Sequence, residues 1–264
     1  MTDSLGNLRQ LCIALAREAG ELALEGRSRD LAGAPGHPPA EAKSSATDLV
    51  TQHDRAAEAH IRRRLNEIRP GDGLLGEEGS DITGTTGLRW IVDPIDGTTN
   101  FVYGAHAWGP SIAVEVNGKV VAGAVHIPSS GETFHAAYGF GAALNDQQLQ
   151  VNRIDEVATA LIATGFSYDP DSRREQGRRV AALLPKVRDI RRSGSAAVDL
   201  CSVACGRVDA YYESHLNEWD VAAGLLIARE AGALASSFDG GSPTPDALVV
   251  CAPGIHRALL ELLA

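Results

Sequence analysis

Two aspartates lie three residues apart where an apolar run ends, within residues 90–101. The carboxylates of Asp93 and Asp96 can converge on a hard cation, because oxygen ligands suit magnesium and manganese. The Gly97-Thr98-Thr99 segment that follows can open a helix whose first free N–H groups face an anion. A cation site beside anion-binding amides indicates that this segment binds a phosphate ester.

The same segment also allows a plainer interpretation. An Asp-Gly pair between apolar residues is typical of a β-hairpin turn, so Asp96-Gly97 alone does not distinguish a turn from a phosphate site. Further evidence has to come from acidic residues elsewhere in the chain.

Two further acidic clusters occur. Glu77 and Glu78 follow an apolar run and are flanked by glycines, a pattern that alone would suit a solvated turn. Asp220 lies in the first turn of a predicted helix, where a carboxylate could simply complement the helix dipole, by about 0.3–1 kcal/mol. Because all three clusters fall at strand ends or helix starts, together they predict one shared site.

The motifs match the signatures of a known family. Three motifs carry the main match: Gly76-Glu77-Glu78, residues 93–101 and residues 219–224. An N-terminal motif consists of Lys43-Ser44-Ser45, residues 48–51 and Asp54. Two further motifs, residues 192–197 and 209–213, lie on the predicted substrate side. The chain resembles the inositol monophosphatase family, a branch of the lithium-sensitive, magnesium-dependent sugar phosphatases. The resemblance runs from about Leu8 to the end of the chain.

This resemblance implies a metal site. Glu77, Asp93 and the carbonyl oxygen of Ile95 would bind a first ion, and Asp93, Asp96 and Asp220 a second. Glu77 would also reach a weaker third site. The expected cofactor is Mg²⁺, in about two to three ions, with Mn²⁺ as a possible substitute. Catalytic roles for Glu77 and Asp93 follow from the same resemblance.

The resemblance also assigns residues around the attacking water and the phosphate. Thr98, supported by Asp54, would orient the water, and the amides of Gly97 and Thr98 would bind the phosphate. Lys43 would close over the site from a mobile loop. Read without the family, Asp54 would be an exposed helix acid and Lys43 a surface lysine.

Substrate contacts are expected mainly in the second half of the chain. Small residues in a turn would let a polyol approach closely, and Glu213 could accept hydrogen bonds from sugar hydroxyls, although a strand-end surface acid is the alternative. The contacts implied by the resemblance are Asp96, Gly194, Ser195, Ala196, Glu213 and Asp220.

The reaction expected from this resemblance is hydrolysis of myo-inositol monophosphate to inositol and phosphate by a metal-activated water. The same motif would serve histidinol phosphate, fructose 1,6-bisphosphate or a nucleotide 3′-phosphate. Bisphosphates and nucleotides would require additional basic residues, and Arg191 and Arg192 are the only basic pair near the substrate motifs. Glu213 and the turn at residues 194–196 favour inositol phosphate.

A protein-binding role is the alternative from a different class. Some bacterial members of the family are associated with transcription or ribosome maturation, and an acidic surface would meet a basic protein partner. The complete acidic set argues against a purely non-catalytic role. Members of the family are commonly dimers, so a homodimer is expected.

Composition excludes several other classes. The chain has 264 residues, 44% of them hydrophobic and 22% charged, as expected for a globular protein with ample core. The net charge of −10 and the pI near 5.3 argue against binding to nucleic acid or to an anionic membrane surface.

The cysteines and the N-terminus give no sign of secretion. Cys12, Cys201, Cys205 and Cys251 lack zinc-binding spacing and are expected to be reduced. No signal peptide is recognisable, and no apolar run reaches the roughly 18 residues that a membrane span requires. We therefore expect a cytoplasmic protein.

Hydrophobic periodicity predicts an α/β fold in two halves. Residues 1–151 form an α+β subdomain with the metal-binding motifs, and residues 152–264 form an α/β subdomain with the substrate-side motifs and a mixed sheet. In the first half, helices are predicted over 5–26 and 48–68, with a mobile loop over 27–42 and an antiparallel sheet. The resemblance implies a layered α-β-α-β-α sandwich with the site in the cleft between the halves.

Overall fold

The computed structural model of the chain describes residues 4–33, 37–43 and 49–264. Three residues of the predicted N-terminal motif, Ser44, Ser45 and Asp48, lie outside the described residues.

The described residues form seven α-helices and three short 3-10 turns. The helices are α1 (Leu5–Gly33), α2 (Gln52–Ile68), α3 (Thr98–Tyr103), α4 (Pro170–Leu183), α5 (Ala196–Ala204), α6 (Glu218–Glu230) and α7 (His256–Leu263).

Fifteen strands in the same residues form three sheets. Their bounds are β1 (Ala40–Ala42), β2 (Leu49–Thr51), β3 (Gly73–Gly76), β4 (Asp81–Ile82), β5 (Leu88–Asp96), β6 (Gly109–Val116), β7 (Lys119–Ile127), β8 (Glu132–Ala137), β9 (Ala142–Leu144), β10 (Gln147–Gln148), β11 (Leu161–Thr164), β12 (Asp189–Arg191), β13 (Ala210–Glu213), β14 (Leu234–Ser236) and β15 (Leu248–Cys251). The large sheet has the order β10-β9-β8-β7-β6-β5-β3-β4, the second β12-β11-β13-β15-β14, and β1 pairs with β2.

Five layers stack on one another. Helices α1 and α2 pack on one face of the eight-stranded sheet, and α5 and α6 fill the space between the two sheets. Helices α4 and α7 cover the outer face of the five-stranded sheet. The predicted layered α-β-α-β-α sandwich is therefore confirmed.

Strand alternation explains why the second sheet is covered on both faces. Successive side chains of a strand point to opposite faces. Tyr211 and Val250 belong to the core shared with α5 and α6, whereas Tyr212 and Val249 belong to the core under α4 and α7. Both faces are apolar, so both require a helical layer.

The first sheet is mixed, so the prediction of an antiparallel sheet is wrong at one strand pair. All its neighbouring strands are antiparallel except β3 and β5, which run parallel because β4 lies between them in the chain and carries the polypeptide back along the outer side of β3 before β5 begins. Asn117-Gly118 forms the hairpin turn between β6 and β7. Both residues have positive φ, 52° and 77°, as a tight turn between antiparallel strands favours.

The N-terminal boundaries differ from the prediction. Helix α1 continues to Gly33, so the first part of the predicted loop is helical, and its second part includes β1. The predicted helix over 48–68 begins only at Gln52, because Thr51 caps it. The Thr51 hydroxyl accepts from the backbone of the first turn and the Asp54 carboxylate accepts from Thr51 N, which forms a capping box. Residues 49–51 are strand β2 instead.

The proposed division at residue 151 falls between the two large sheets, after β10 and before β11. Helices α5 and α6 come from the second half, yet α6 packs on the sheet of the first half and one core cluster spans both sheets. We interpret the division as one between two subdomains that share this helical layer. Among the described residues, no helix is long and apolar enough to cross a membrane.

The contact between α5 and α6 leaves no room at Gly224. A Cβ atom added to Gly224 would lie 2.8 Å from Leu200 Cβ, closer than van der Waals contact permits. We predict that Gly224→Ala lowers the free energy of unfolding by about 1–3 kcal/mol, because the crowding outweighs the gain in helix propensity. Urea unfolding of the purified protein measures this difference.

Gly177 provides the matched control, since it is also helical but an added Cβ would meet nothing within 4 Å. Gly177→Ala should raise the free energy of unfolding by up to about 1 kcal/mol. Equal stabilisation by both substitutions would contradict the tight α5–α6 packing.

Candidate active site

The end of β5 presents two of the predicted metal ligands. The pairing of β5 with β6 becomes irregular between Asp93 and Asp96, where Pro94 cannot donate a ladder hydrogen bond. The Asp93 carboxylate accepts a hydrogen bond from Ile95 N at 2.9 Å instead. Both aspartates consequently face the same cavity.

Helix α3 begins directly after this bend. Gly97 caps it with a φ of 93°, a left-handed conformation that glycine adopts without strain. Phe101 N donates to Gly97 O at 3.0 Å, which closes the first helical turn. The predicted helix start is confirmed, and the alternative hairpin turn at Asp96-Gly97 is wrong because the chain enters α3 before it reaches β6.

Asp220 reaches the same place from the other half of the chain. It lies in the first turn of α6, where its carboxylate accepts from Asn217 N at 2.7 Å in a capping box. Carboxylate oxygens of Asp93, Asp96 and Asp220 lie within 4.8 Å of one another. This spacing suits oxygen ligands around one or more divalent cations.

Burial and mutual repulsion raise the pKa values of these carboxyl groups. Asp93 is only 2% exposed. Burial raises the pKa of Asp93 well above its usual value, and the charges of Glu77, Asp96 and Asp220 raise it further. The pKa of Asp96 rises to about 6, chiefly through burial. Burial and then the Asp96 charge raise the pKa of Asp220. A bound cation would relieve the same repulsion.

The Glu77 loop is held by a buried acid that the sequence motifs did not indicate. Glu58 of α2 accepts from Glu78 N at 2.7 Å and from Ser80 N at 3.0 Å. A Cβ atom on Gly76 would lie 2.4 Å from the Glu58 carboxylate, so glycine is required at that position. These contacts fix the loop that carries Glu77.

Lys43 lies against this acidic loop. Its Nζ is 2.8 Å from Glu77 Oε1 and also pairs with Glu78. Burial acts to lower the pKa of Lys43, but the charges of Glu77 and Glu78 outweigh burial and raise that pKa. The structure thus brings Lys43 to the predicted site, where its ammonium group neutralises part of the acidic cluster.

Thr98 and Asp54 form a buried pair beside the aspartates. Thr98 Oγ1 lies 3.0 Å from Asp54 Oδ1 and 3.2 Å from the carbonyl oxygen of Ile95, and can donate to either. The other Asp54 oxygen accepts from the Thr51 hydroxyl at 2.6 Å. Asp54 is fully buried, so the alternative of an exposed helix acid is wrong. Burial raises its pKa, although hydrogen bonds from Thr51 and Thr98 oppose this shift.

The start of α5 is tied to Asp96. The Asp96 carboxylate accepts from Ser195 Oγ and from Ala197 N, both at 2.6 Å. Ser195 also caps α5, since its hydroxyl accepts from Val198 N at 3.2 Å. One aspartate therefore fixes the helix that carries the predicted substrate-side residues.

Glu213 lies at the end of β13 and lines the same cavity. Its carboxylate accepts from the Tyr211 hydroxyl at 2.6 Å. A Cβ atom on Gly165 would lie 1.9 Å from this carboxylate, so the close approach requires glycine there. Burial raises the pKa of Glu213 to about 7. The alternative of a strand-end surface acid is wrong, because Glu213 lines the cavity.

Most of these groups line one cavity of about 570 Å³, which is formed by residues from both halves of the chain. Asp54 stands behind Thr98 rather than on its wall. The predicted site residues on the wall are Lys43, Glu77, Asp93, Ile95, Asp96, Gly97, Thr98, Gly194, Ser195, Ala196, Glu213 and Asp220. A second cavity of about 430 Å³ beside α2 and β3 contains none of the predicted site residues.

Comparison with known proteins agrees with this geometry. A family model described as the inositol monophosphatase family matches residues 5–264. The chain belongs to this family.

Three relatives illustrate the similarity. The inositol-1-monophosphatase SuhB of Mycobacterium tuberculosis is 45% identical, over 97% of this chain and 93% of the relative. The Nus factor SuhB of Pasteurella multocida is 38% identical, over 95% of this chain and 93% of the relative. The solved structure of the Thermotoga maritima IMPase superimposes with a TM-score of 0.85 at 32% identity, covering 95% of this chain and 94% of that one.

The family motifs did not indicate every residue that shapes the site. Glu58 and Asp199 are buried acids, and Gln176 connects two loops of the cavity wall through Ser167 N and the Ser214 hydroxyl. One feature of the sequence could have indicated Asp199. It is the only charged residue of α5, a mostly apolar helix, and burying a charged residue is costly unless other groups pair with it.

The raised carboxyl pKa values predict how stability depends on pH. A carboxyl group whose pKa is higher in the folded state binds more protons when folded, so its contribution to stability is lost as pH rises through that pKa. For Asp96 this loss runs from its ordinary pKa of 3.8 up to the raised value of about 6, and Asp93 and Asp220 act in the same direction. We predict that the metal-free protein loses thermal stability between about pH 5 and 7.

Added Mg²⁺ should reverse this loss at pH 7, because a cation stabilises the ionised carboxylates. Thermal melts in EDTA and in Mg²⁺ across this range test the prediction, with Asp93→Asn as the variant that weakens both effects. A metal-free melting temperature that rises over the same pH range would contradict it.

Proposed function

We propose that this protein is a magnesium-dependent phosphomonoesterase that hydrolyses myo-inositol monophosphate to inositol and phosphate. The observation that carries the proposal is the convergence of Asp93, Asp96 and Asp220 in a cavity that Glu213 also lines. A group of carboxylates that can bind cations and a further carboxyl group that can bind hydroxyls match the two parts of a polyol phosphate. Membership of the inositol monophosphatase family supports the same reaction.

The residues present suit divalent metal ions. Three converging carboxylates repel one another, and the Ile95 carbonyl lies on the same wall, which together make the oxygen-rich donor set that Mg²⁺ or Mn²⁺ prefers. We assign Glu77, Asp93 and the Ile95 carbonyl to one ion, and Asp93, Asp96 and Asp220 to another. Bound divalent ions supply a lowered pKa for the attacking water and charge stabilisation of the phosphoryl group.

The Thr98–Asp54 pair orients that water. When Thr98 Oγ1 donates its hydrogen to Asp54 Oδ1, its lone pairs are free to accept a hydrogen bond from a water in the cavity. The threonine hydroxyl is itself a weak base, so Asp54 provides the negative charge that favours proton movement away from the water. We assign the amides of Gly97 and Thr98, at the start of α3, to the phosphate.

We predict that Thr98→Ala lowers kcat about 100-fold, because the water loses its hydrogen-bond partner. Thr98→Ser, which keeps the hydroxyl, should recover most of the activity, and Asp54→Asn should resemble the alanine variant. Steady-state phosphate release measures all three. Wild-type kcat in Thr98→Ala would rule out this role.

Substrate preference tests the proposed reaction itself. Phosphate release is measured from inositol 1-phosphate, histidinol phosphate, fructose 1,6-bisphosphate and a nucleotide 3′-phosphate, each with Mg²⁺ and with EDTA. We expect Mg²⁺-dependent turnover with a preference for inositol 1-phosphate, and inhibition by lithium. A preference for another ester would contradict the substrate assignment but retain the chemistry, whereas the absence of all activity would contradict the chemistry.

A second candidate function is protein binding in transcription. It is favoured by the name Nus factor, which relatives from Pasteurella multocida and Vibrio cholerae carry at 38% and 39% identity. The Asp93→Asn variant separates the two functions, because it should abolish turnover and leave a protein-binding surface intact. A homodimer, implied by the family resemblance, and a cytoplasmic location, expected from the cysteines and the N-terminus, are also part of our proposal. Sedimentation of the purified protein tests the dimer.

A further inference from the structure

Asp199 is a buried acid on the cavity wall to which the proposed mechanism gives no role. It lies in α5, one helical turn after the Ser195 cap, and only 3% of its surface is exposed. It lines the same cavity as Glu213. The sequence motifs did not include it among the site residues.

The surroundings of Asp199 do not explain its burial. Among the described residues it forms no ion pair within 4 Å, although Arg192 lines the same cavity. The hydroxyl of Ser193 is a hydrogen-bond partner of its carboxyl group. A buried carboxyl group with one neutral partner retains unused hydrogen-bonding capacity, which is costly unless a ligand or water uses it.

Asp199 and Glu213 line the same cavity and lie near one another and near Tyr211. After the effect of burial, the Glu213 charge raises the pKa of Asp199, and both charges raise the pKa of Tyr211. Burial raises the pKa of Asp199 to about 8 and that of Glu213 to about 7. Near neutral pH the pair can therefore both donate and accept hydrogen bonds, as adjacent hydroxyl groups of a polyol require.

We propose that Asp199 is a specificity-determining residue, which together with Glu213 binds hydroxyl groups of the leaving alcohol and selects phosphate esters of polyhydroxylated alcohols. This inference rests on the proposed phosphatase function. An ester whose alcohol lacks hydroxyl groups would leave the remaining hydrogen-bonding capacity of both buried carboxyl groups unused, and a site of this kind discriminates strongly against such a ligand.

The test compares two substrates that share the phosphate but differ in the alcohol. Inositol 1-phosphate has hydroxyl groups around its ring, and p-nitrophenyl phosphate has none. In Asp199→Ala we expect KM for inositol 1-phosphate to rise about tenfold, the loss of a typical hydrogen bond, while kcat/KM for p-nitrophenyl phosphate stays within about twofold. Asp199→Asn, which can still donate and accept, should recover most of the lost affinity.

Two further variants keep the result interpretable. Asp199→Leu fills the space without hydrogen-bonding groups, so it replaces the alanine variant if the latter unfolds. Ser193→Ala removes the hydroxyl partner of Asp199 and is the control for a structural role. If Asp199 only supported the turn before α5, Ser193→Ala would reproduce its effects on both substrates.

The outcomes separate the two proposals. Wild-type protein without any preference for inositol 1-phosphate would overturn the proposed function and this inference with it. A wild-type preference that persists in Asp199→Ala and Asp199→Leu would overturn the inference alone, as would equal loss of activity on both substrates.

Discussion

The mutual repulsion of Asp93, Asp96 and Asp220 is the constraint on which the rest of this structure depends. Three carboxylates with oxygens within 4.8 Å of one another are unfavourable in a buried place unless protons or cations neutralise them. Local sequence preference cannot supply such an arrangement. The packing of the helices and sheets has to impose this arrangement, so the fold holds the three like charges together.

The shared helical layer imposes this arrangement. Helices α5 and α6 lie between the two sheets, and both begin at the cavity, so their positions are fixed by both sheets at once. Asp220 is placed by α6, and Asp96 is held by hydrogen bonds from the start of α5. The tight contact at Gly224 therefore influences the site as well as stability. Sites on rigid elements keep such geometry within narrow limits.

Much of this could be predicted from the sequence, for identifiable physical reasons. Asp93, Asp96 and Asp220 stand at strand ends and helix starts, positions that the sequence motifs reveal, and hydrophobic periodicity indicated the α/β fold in two halves. The predicted start of α2 was wrong because Thr51 and Asp54 form a capping box, which hydrophobic periodicity does not reveal. The parallel pairing of β3 with β5 and the roles of Glu58 and Asp199 depend on contacts between distant segments, which no local pattern specifies.

The central claim is that these carboxylates hold divalent metal ions, and anomalous diffraction from crystals soaked in Mn²⁺ tests it most directly. The account predicts anomalous density between Asp93, Asp96 and Asp220, with a further peak near Glu77, Asp93 and the Ile95 carbonyl oxygen. Absence of anomalous density among the three aspartates, in crystals that bind Mn²⁺ elsewhere or not at all, would contradict it.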